Sequence, residues 1–327
     1  MSISYKALES SVKEEKYSLS IVEKNTEDLP KGDLLIKVRF SSLNYKDAMS
    51  ATGIPGVTRE YPHTPGIDAV GEIVQARQGQ FKEGDLVIVS GYDLGMNTPG
   101  GFAEYIRVPH DWAIGLPSGL SPRDSMILGT AGLTAGLSVA ALESFRGLEN
   151  TKSVVSGSTG GVGSISTKLL SQLGSSVTAI SGKKETEFLN TLGASSVMHR
   201  TDLLENIKKP ISKGLWDIGV DVVGGDVLST LLAALNPGGA IACSGLVGGT
   251  SFKSSIFPFI LRGNALIGID SVEIPLSNKE KMWNKFASEW SISNLSEITK
   301  EVSLEGMEEE INTMLKGQQV GRVVLKI

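Results

Sequence analysis

The chain has 327 residues, with 31 Lys and Arg against 36 Asp and Glu, a formal net charge of −5, and 40% apolar and 20% charged residues. That balance argues against a nucleic-acid binder, which needs dense Lys/Arg contacts to phosphate, but it permits a small anionic ligand in a local cationic pocket. One cysteine, Cys243, rules out an intrachain disulfide; with no signal-like N-terminus and no apolar stretch read as approaching the ~20 residues of a membrane helix, a soluble cytoplasmic protein is the expectation.

Up to about residue 120 the chain reads as β-rich and punctuated. Residues 34–40 and 86–89 are strand-like, and turn signals fall at Pro30-Lys31-Gly32, Pro55-Gly56, Pro65-Gly66, 97–101 and Pro117-Ser118-Gly119. Such spacing suits a compact, partly antiparallel barrel. Within it, residues 41–49 read S-S-L-N-Y-K-D-A-M, the start of a helix in which Asn44 and Asp47 have the spacing of a capping pair.

After about residue 125 the rhythm changes to alternating strands and helices. Strands are expected at 153–156, 177–180, 196–199, 218–223, 240–243 and 265–269. Between them come helices carrying Ile165, Leu169, Leu170 and Leu173, then Phe188, Leu189 and Leu192, then 202–208 and 226–235, the last stopped by Asn236-Pro237-Gly238-Gly239. This is the pattern of a parallel sheet covered by helices on both faces. A final helical pattern (Met307, Ile311, Met314, Leu315) and a strand at 320–327 are expected to return to the first domain.

Residues 156–164 read S-G-S-T-G-G-V-G-S, between a strand and a helix. Against G-x-G-x-x-G, Ser158 replaces the first glycine and Gly160 and Gly163 hold the other places. Glycines let the backbone approach a pyrophosphate, and the helix start offers N–H groups and positive dipole to anionic oxygens. The alternative is an ordinary tight turn. An acid that reads the ribose is expected about 20 residues later, at the end of the next strand. Ser181 stands there, 181 − 163 = 18 residues after Gly163, followed by Gly182, Lys183 and Lys184. A carboxylate would repel a 2′-phosphate; a hydroxyl, a free N–H and an ammonium attract it. Arg200, at the end of the third strand, is a further contact to this pocket or to the adenine. The coenzyme expected is NADP(H).

One Cys and three His, at 63, 110 and 199, are a poor donor set for zinc, so no metal is expected. Without a Lewis acid the fitting acceptor is already electron-poor: a quinone, or a C=C bond conjugated to a carbonyl. Donors in a dry cleft can stabilise the resulting enolate oxygen. Tyr45 is read as the group that donates to, or protonates, that oxygen. Asn44 is read either as orienting carboxamide or substrate or as a capping residue. Asp47 is read as holding Lys46 or the local backbone, with capping favoured. A nucleotide-binding redox sensor or structural protein without turnover is the alternative.

Taken together, S-L-N-Y-K-D-A (42–48), P-G-I-D (65–68), G-G-F-A-E-Y (100–105), G-T-A-G-L-T-A (129–135), S-T-G-G-V-G-S (158–164), S-G-K (181–183), P-F-I-L-R (258–262), G-I-D-S-V (268–272) and G-R-V-V-L-K-I (321–327) resemble the zinc-independent medium-chain dehydrogenase/reductase family over essentially the whole chain. The similarity is greatest to its YhdH/YhfP group of quinone oxidoreductases and acrylyl-CoA reductases. The resemblance implies an α/β protein with a GroES-like β-rich catalytic domain (1–124 and 296–327) and a Rossmann NADP-binding domain with a doubly wound parallel sheet (125–295). NADPH would bind in the cleft between them. Thr159, Gly160, Gly161, Val162 and Gly163 would cradle the pyrophosphate with Ser158 in the loop. Ser181, Gly182, Lys183 and Arg200 would hold the 2′-phosphate and adenosine, and Tyr45, Thr130, Leu246, Ser271 and Gln318 would line the nicotinamide side. Arg262 is a further cofactor contact or a structural tie between strands. Where zinc-dependent relatives carry G-H-E, this chain reads P-G-I-D-A-V-G-E without a His. The resemblance also implies a homodimer through the last strand of the nucleotide sheet, near 265–269.

Overall fold

Alternation of inward and outward side chains shapes the first strands of the computed structural model, which describes residues 2–327. β1 (Ser4–Lys13) and β2 (Lys16–Asn25) pair as an antiparallel hairpin, with Tyr5 and Ala7 of β1 turned inward. β3 (Leu34–Ser42) leads into α1 (Tyr45–Thr52). Then follow β4 (Asp68–Ala76), β5 (Leu86–Ser90), β6 (Tyr105–Val108) and β7 (Ala113–Gly115). Neighbouring strands from β3 to β7 pair antiparallel. They enclose an aliphatic core that includes Leu34, Ile36, Val38, Ile73, Val87 and Ile106.

α2 (Pro122–Arg146) is broken at Gly129, whose φ of 52° and ψ of −156° only glycine adopts without strain. A Cβ there would stand 2.4 Å from Ser42 Oγ and 2.7 Å from Asp68 Oδ2. This helix corrects one expectation, because by length and composition it could cross a membrane. Its apolar window is 78% buried within the protein and it is interrupted at Gly129, so its apolar side chains serve a core.

β8 (Lys152–Ser156), α3 (Gly161–Gln172), β9 (Ser176–Ser181), α4 (Thr186–Thr191), β10 (Ser196–His199), α5 (Arg200–Asn206), β11 (Trp216–Asp221), α6 (Gly225–Ala233), β12 (Leu235–Cys243), α7 (Phe257–Arg262) and β13 (Ala265–Gly268) follow. All six strands run parallel, in the order β10-β9-β8-β11-β12-β13. The order reverses between β8 and β11, and open α/β sheets bind ligands beyond the carboxyl ends of their strands at such a point. Val154, Ile180, Leu231 and Ile241 are in its core. The expected boundaries hold to within about two residues except at β12. That strand begins at Leu235 and runs through the Asn236–Gly239 stretch read as a turn, and the extra residues are absorbed by a register shift against β11.

The chain then forms α8 (Leu276–Phe286), β14 (Thr299–Val302), α9 (Met307–Leu315) and β15 (Arg322–Lys326). β15 pairs antiparallel with β3 and parallel with β14, completing the order β14-β15-β3-β4-β5-β7. The chain thus divides into two units: Met1–Thr130 with Val272–Ile327, the unit expected to be catalytic, and Ala131–Ser271, the unit expected to bind the nucleotide. The return to the catalytic unit comes at Val272, not at 296 as read from the sequence. The cause is α8, which buries Trp283 and Phe286 and whose Lys279 Nζ donates to the carbonyls of Ser90 and Val272, each at 2.7 Å.

Candidate functional site

In the nucleotide unit the turn from β8 into α3 is built on close backbone approach. A Cβ on Gly163 would lie 2.2 Å from the Gly157 carbonyl oxygen, so the helix can rest on the turn only with glycine at 163. Gly160 is the N-cap of α3 and provides no side-chain cap, so the first-turn N–H groups remain available to an anion. A Cβ on Gly160 would meet nothing nearer than 3.4 Å. The space above this loop is therefore an open cradle that a side chain would fill, which fits a pyrophosphate. Gly161 and Val162 open the helix, both half-buried.

Ser158 has a different job from its neighbours. Its hydroxyl donates to the Val155 carbonyl and accepts from the Ile180 N–H, and its own N–H donates to the Ile180 carbonyl. Fully buried, it ties the loop to β9 and presents no group to a ligand. Thr159 follows, with its Oγ1 3.2 Å from Ser181 Oγ.

β9 and β10 pair so that Ser181 lies opposite His199. This register brings Arg200 to the same corner: a Cβ on Gly182 would lie 3.1 Å from the Arg200 Nη2. Ser181 Oγ accepts the Lys183 N–H at 2.9 Å. Half-burial pulls the Lys183 ammonium below the usual lysine range, opposed by nearby Glu185. Ser181, Gly182, Lys183 and Arg200 are thus brought together within one unit, as a cationic corner without a carboxylate at the strand end.

The other residues of this unit divide. Leu246 is exposed, whereas Ser271 is buried with its hydroxyl 2.7 Å from that of Thr134. Arg262 is a correction: its guanidinium donates to the carbonyls of Ala233, Leu235 and Ser212. Those lie at the amino end of β12 and ahead of β11, at the opposite ends of the parallel strands from the glycine loop. Arg262 is a structural tie that satisfies strand-end carbonyls.

In the catalytic unit, Asn44 is the N-cap of α1 and Tyr45 its first residue. Asp47 accepts the N–H groups of Asn44 at 2.8 Å, Gly66 at 3.1 Å and Ile67 at 2.8 Å. It ties the start of α1 to the turn before β4, which is the capping role favoured for it. Burial, then the nearby Asp68 carboxylate, push Asp47 up to about 7. Asn44 Nδ2 donates to Asp68 Oδ2 at 2.7 Å, and its Oδ1 accepts from Arg322 Nη1 at 3.4 Å. The Asn44 amide is therefore committed to the protein interior.

Asp68 and Arg322 are the functional residues that residue-by-residue reading missed; the only signal was their place in P-G-I-D and G-R-V-V-L-K-I. Asp68 accepts from Ser42 Oγ, Asn44 Nδ2, and both the N–H and hydroxyl of Thr130, all between 2.7 and 2.8 Å. The break at Gly129 is what turns the Thr130 N–H toward it. Arg322 is buried and donates from Nε to the Ile127 carbonyl at 2.7 Å and from Nη1 to the Leu43 carbonyl at 3.1 Å. Burial lowers its guanidinium to about 10 against the pull of Asp68 and Asp47. One buried cation and two buried carboxylates thus fix residues 42–47 and 127–130. Tyr45 projects from this knot and is exposed, as is Gln318, whose backbone N–H closes the end of α9 on Thr313.

His110 Nδ1 is 3.0 Å from Asp33 and His199 caps α5, whereas His63 is buried with its Nε2 lacking a hydrogen-bond partner. Burial, then Asp221 at 3.8 Å, pushes the Cys243 thiol up to about 11.

Residues 30–118 match the alcohol dehydrogenase GroES-like domain and residues 161–288 the zinc-binding dehydrogenase family. The chain is 41% identical over 331 residues, covering all of both proteins, to "Putative quinone oxidoreductase YhfP" of Bacillus subtilis. It is 37% identical over 303 residues, 92% of each protein, to acrylyl-CoA reductase AcuI of Ruegeria pomeroyi. Two solved structures are similar: the YhdH oxidoreductase of Salmonella enterica in complex with NADP, with a TM-score of 0.95, 37% identity and 98% and 99% of the two chains covered, and YhfP of Bacillus subtilis with NAD bound, with a TM-score of 0.96, 40% identity and 99% and 100% covered.

Proposed function

The chain belongs to the medium-chain dehydrogenase/reductase family, in its YhdH/YhfP group, and on that premise we propose that this oxidoreductase uses NADPH to reduce an electron-poor acceptor, a quinone or a 2-enoyl thioester such as acrylyl-CoA, without zinc. The observation that carries the coenzyme is the corner at the end of β9. Ser181, Lys183 and Arg200 converge there where a ribose-reading carboxylate would repel the 2′-phosphate. The open cradle at Gly160 would take the pyrophosphate.

Bound NADPH would supply a hydride to the β-carbon of the acceptor, moving charge onto its carbonyl oxygen. Tyr45 donates a hydrogen bond to that oxygen or protonates it. Asn44 and Asp47, committed to the interior, hold the backbone from which Tyr45 projects. Thr130, fixed by Asp68, and Leu246, Ser271 and Gln318 are the proposed nicotinamide-side residues. The zinc-free reading is supported by the donor set: among the described residues, no group of three or more His, Cys, Asp or Glu could hold a metal ion.

NADPH oxidation with acrylyl-CoA beside 1,4-benzoquinone, compared as kcat/KM and repeated with NADH, tests the reading. A preference for NADPH with turnover of either acceptor supports it. Coenzyme binding without turnover across both acceptor classes refutes it.

We propose a cytoplasmic homodimer. β13 ends the sheet order and leaves an edge that needs cover, and Ile256, Phe257, Ile260 and Leu261 on and beside α7 are exposed. A monomer mass in light scattering at micromolar concentration would overturn the dimer.

A further inference from the structure

The peptide unit between Gly182 and Lys183 is held at both ends. Its N–H donates to Ser181 Oγ at 2.9 Å, and its carbonyl stands 3.2 Å from His199 Nε2. The tautomer follows from the other ring nitrogen. Nδ1 accepts the Thr201 N–H as the N-cap of α5 and lies 2.7 Å from the Thr201 hydroxyl. It is therefore unprotonated, and in neutral His199 the hydrogen sits on Nε2 and donates to Gly182. A trans peptide is planar, so fixing its carbonyl and its N–H fixes its whole orientation. The position of the Lys183 Cα, and the N–Cα axis about which its side chain turns, are fixed with it. Because Ser181 Oγ accepts from Lys183, its own hydrogen is left to donate, with Thr159 Oγ1 at 3.2 Å as its neighbour in this structure.

We propose that His199 is a positioning residue that sets coenzyme preference: it orients the Ser181–Lys183 corner for a 2′-phosphate. The inference rests on the NADPH reading above. His199 touches no part of the coenzyme in this scheme. It acts through the Gly182 carbonyl, and its neighbour Arg200 leaves the same strand end toward Gly182. An unphosphorylated ribose makes no use of the Lys183 ammonium, so only the phosphorylated coenzymes should sense the clamp.

Two substitutions separate the clamp from the cap. His199→Asn keeps an acceptor for the Thr201 N–H, since Asn is among the best N-caps, but cannot reach Gly182. His199→Gln places an amide N–H near the position of Nε2. Calorimetric dissociation constants for NADP+ and NAD+, with a thermal melt, provide the readout. His199→Asn should weaken NADP+ about fivefold, the size of one ordinary hydrogen bond, with NAD+ binding and the melting temperature unchanged. His199→Gln should recover NADP+ to within about twofold. If His199→Asn weakens both coenzymes by the same factor, or neither, while the wild type prefers NADP+, the positioning role is wrong and the NADPH reading stands. Equal constants for the two coenzymes in the wild type would overturn the NADPH reading, and this inference with it.

Discussion

Replacing Ser181 by Asp should invert the coenzyme preference. Ser181 is buried at the end of β9, with its Oγ 2.9 Å from the Lys183 N and 3.2 Å from Thr159 Oγ1. A carboxylate there can still accept the Lys183 N–H, so the turn is preserved. It would stand roughly 5 Å from a 2′-phosphate. At an effective dielectric of about 20, one pair of like charges at that distance costs 332/(20 × 5), about 3 kcal/mol. Solvent at this corner reduces that to about 2 kcal/mol, and loss of the hydroxyl donor adds about 1 kcal/mol. The sum, about 3 kcal/mol, weakens NADPH about 100-fold. For NADH the carboxylate accepts the ribose 2′-OH, a gain of about fivefold. The ratio of the two constants should therefore move about 500-fold. Calorimetry gives the constants, and kcat/KM at saturating acceptor gives the catalytic counterpart. A ratio that moves less than tenfold, with the melting temperature unchanged, would refute the placement of the 2′-phosphate at Ser181.

Tyr45→Phe should lower kcat/KM for an enoyl thioester at least tenfold, with coenzyme dissociation constants unchanged; unchanged turnover with every acceptor would remove Tyr45 from the chemistry. Two glycines of one loop should fail differently. Gly160→Ala, whose methyl enters open space, should keep the melting temperature and weaken coenzyme at least tenfold. Gly163→Ala, whose methyl meets the Gly157 carbonyl at 2.2 Å, should lower the melting temperature itself. Thermal melts with and without coenzyme separate the two. Asp47 should make stability depend on pH. Its folded pKa, raised from 3.8 to about 7, means that its stabilising contribution is fully present below about pH 4 and is lost as pH rises through about 7. The stability difference between wild type and Asp47→Ala, from urea unfolding, should accordingly shrink by on the order of 2–3 kcal/mol between pH 5 and pH 8. A difference that is flat or grows over that range would show that Asp47 is ionised in the folded state throughout.

The sequence by itself determined whatever depends on local order. Strand-helix alternation after residue 125, the strand-loop-helix context of the glycines and the absence of an acid at 181 are all periodicities or short spacings, and they specified a doubly wound nucleotide unit and the corner proposed for the 2′-phosphate. Tertiary structure alone decided matters that depend on which distant segments meet. The resemblance offers Arg262 as a cofactor contact or a tie between strands, and its guanidinium closes carbonyls at the amino ends of the strands, away from the glycine loop, because direction along a parallel strand is invisible in composition. Asp68 and Arg322 are 254 positions apart (322 − 68) and become partners in one buried network only when β15 pairs with β3. The resemblance places residues 272–295 with the nucleotide unit, but they join the other unit, since the burial of Trp283 and the reach of Lys279 to Ser90 are set by long-range packing. Even the pinned peptide at Gly182 needed the register of β9 against β10, because the His199 ring and the Gly182 carbonyl, 17 positions apart (199 − 182), meet only through the sheet.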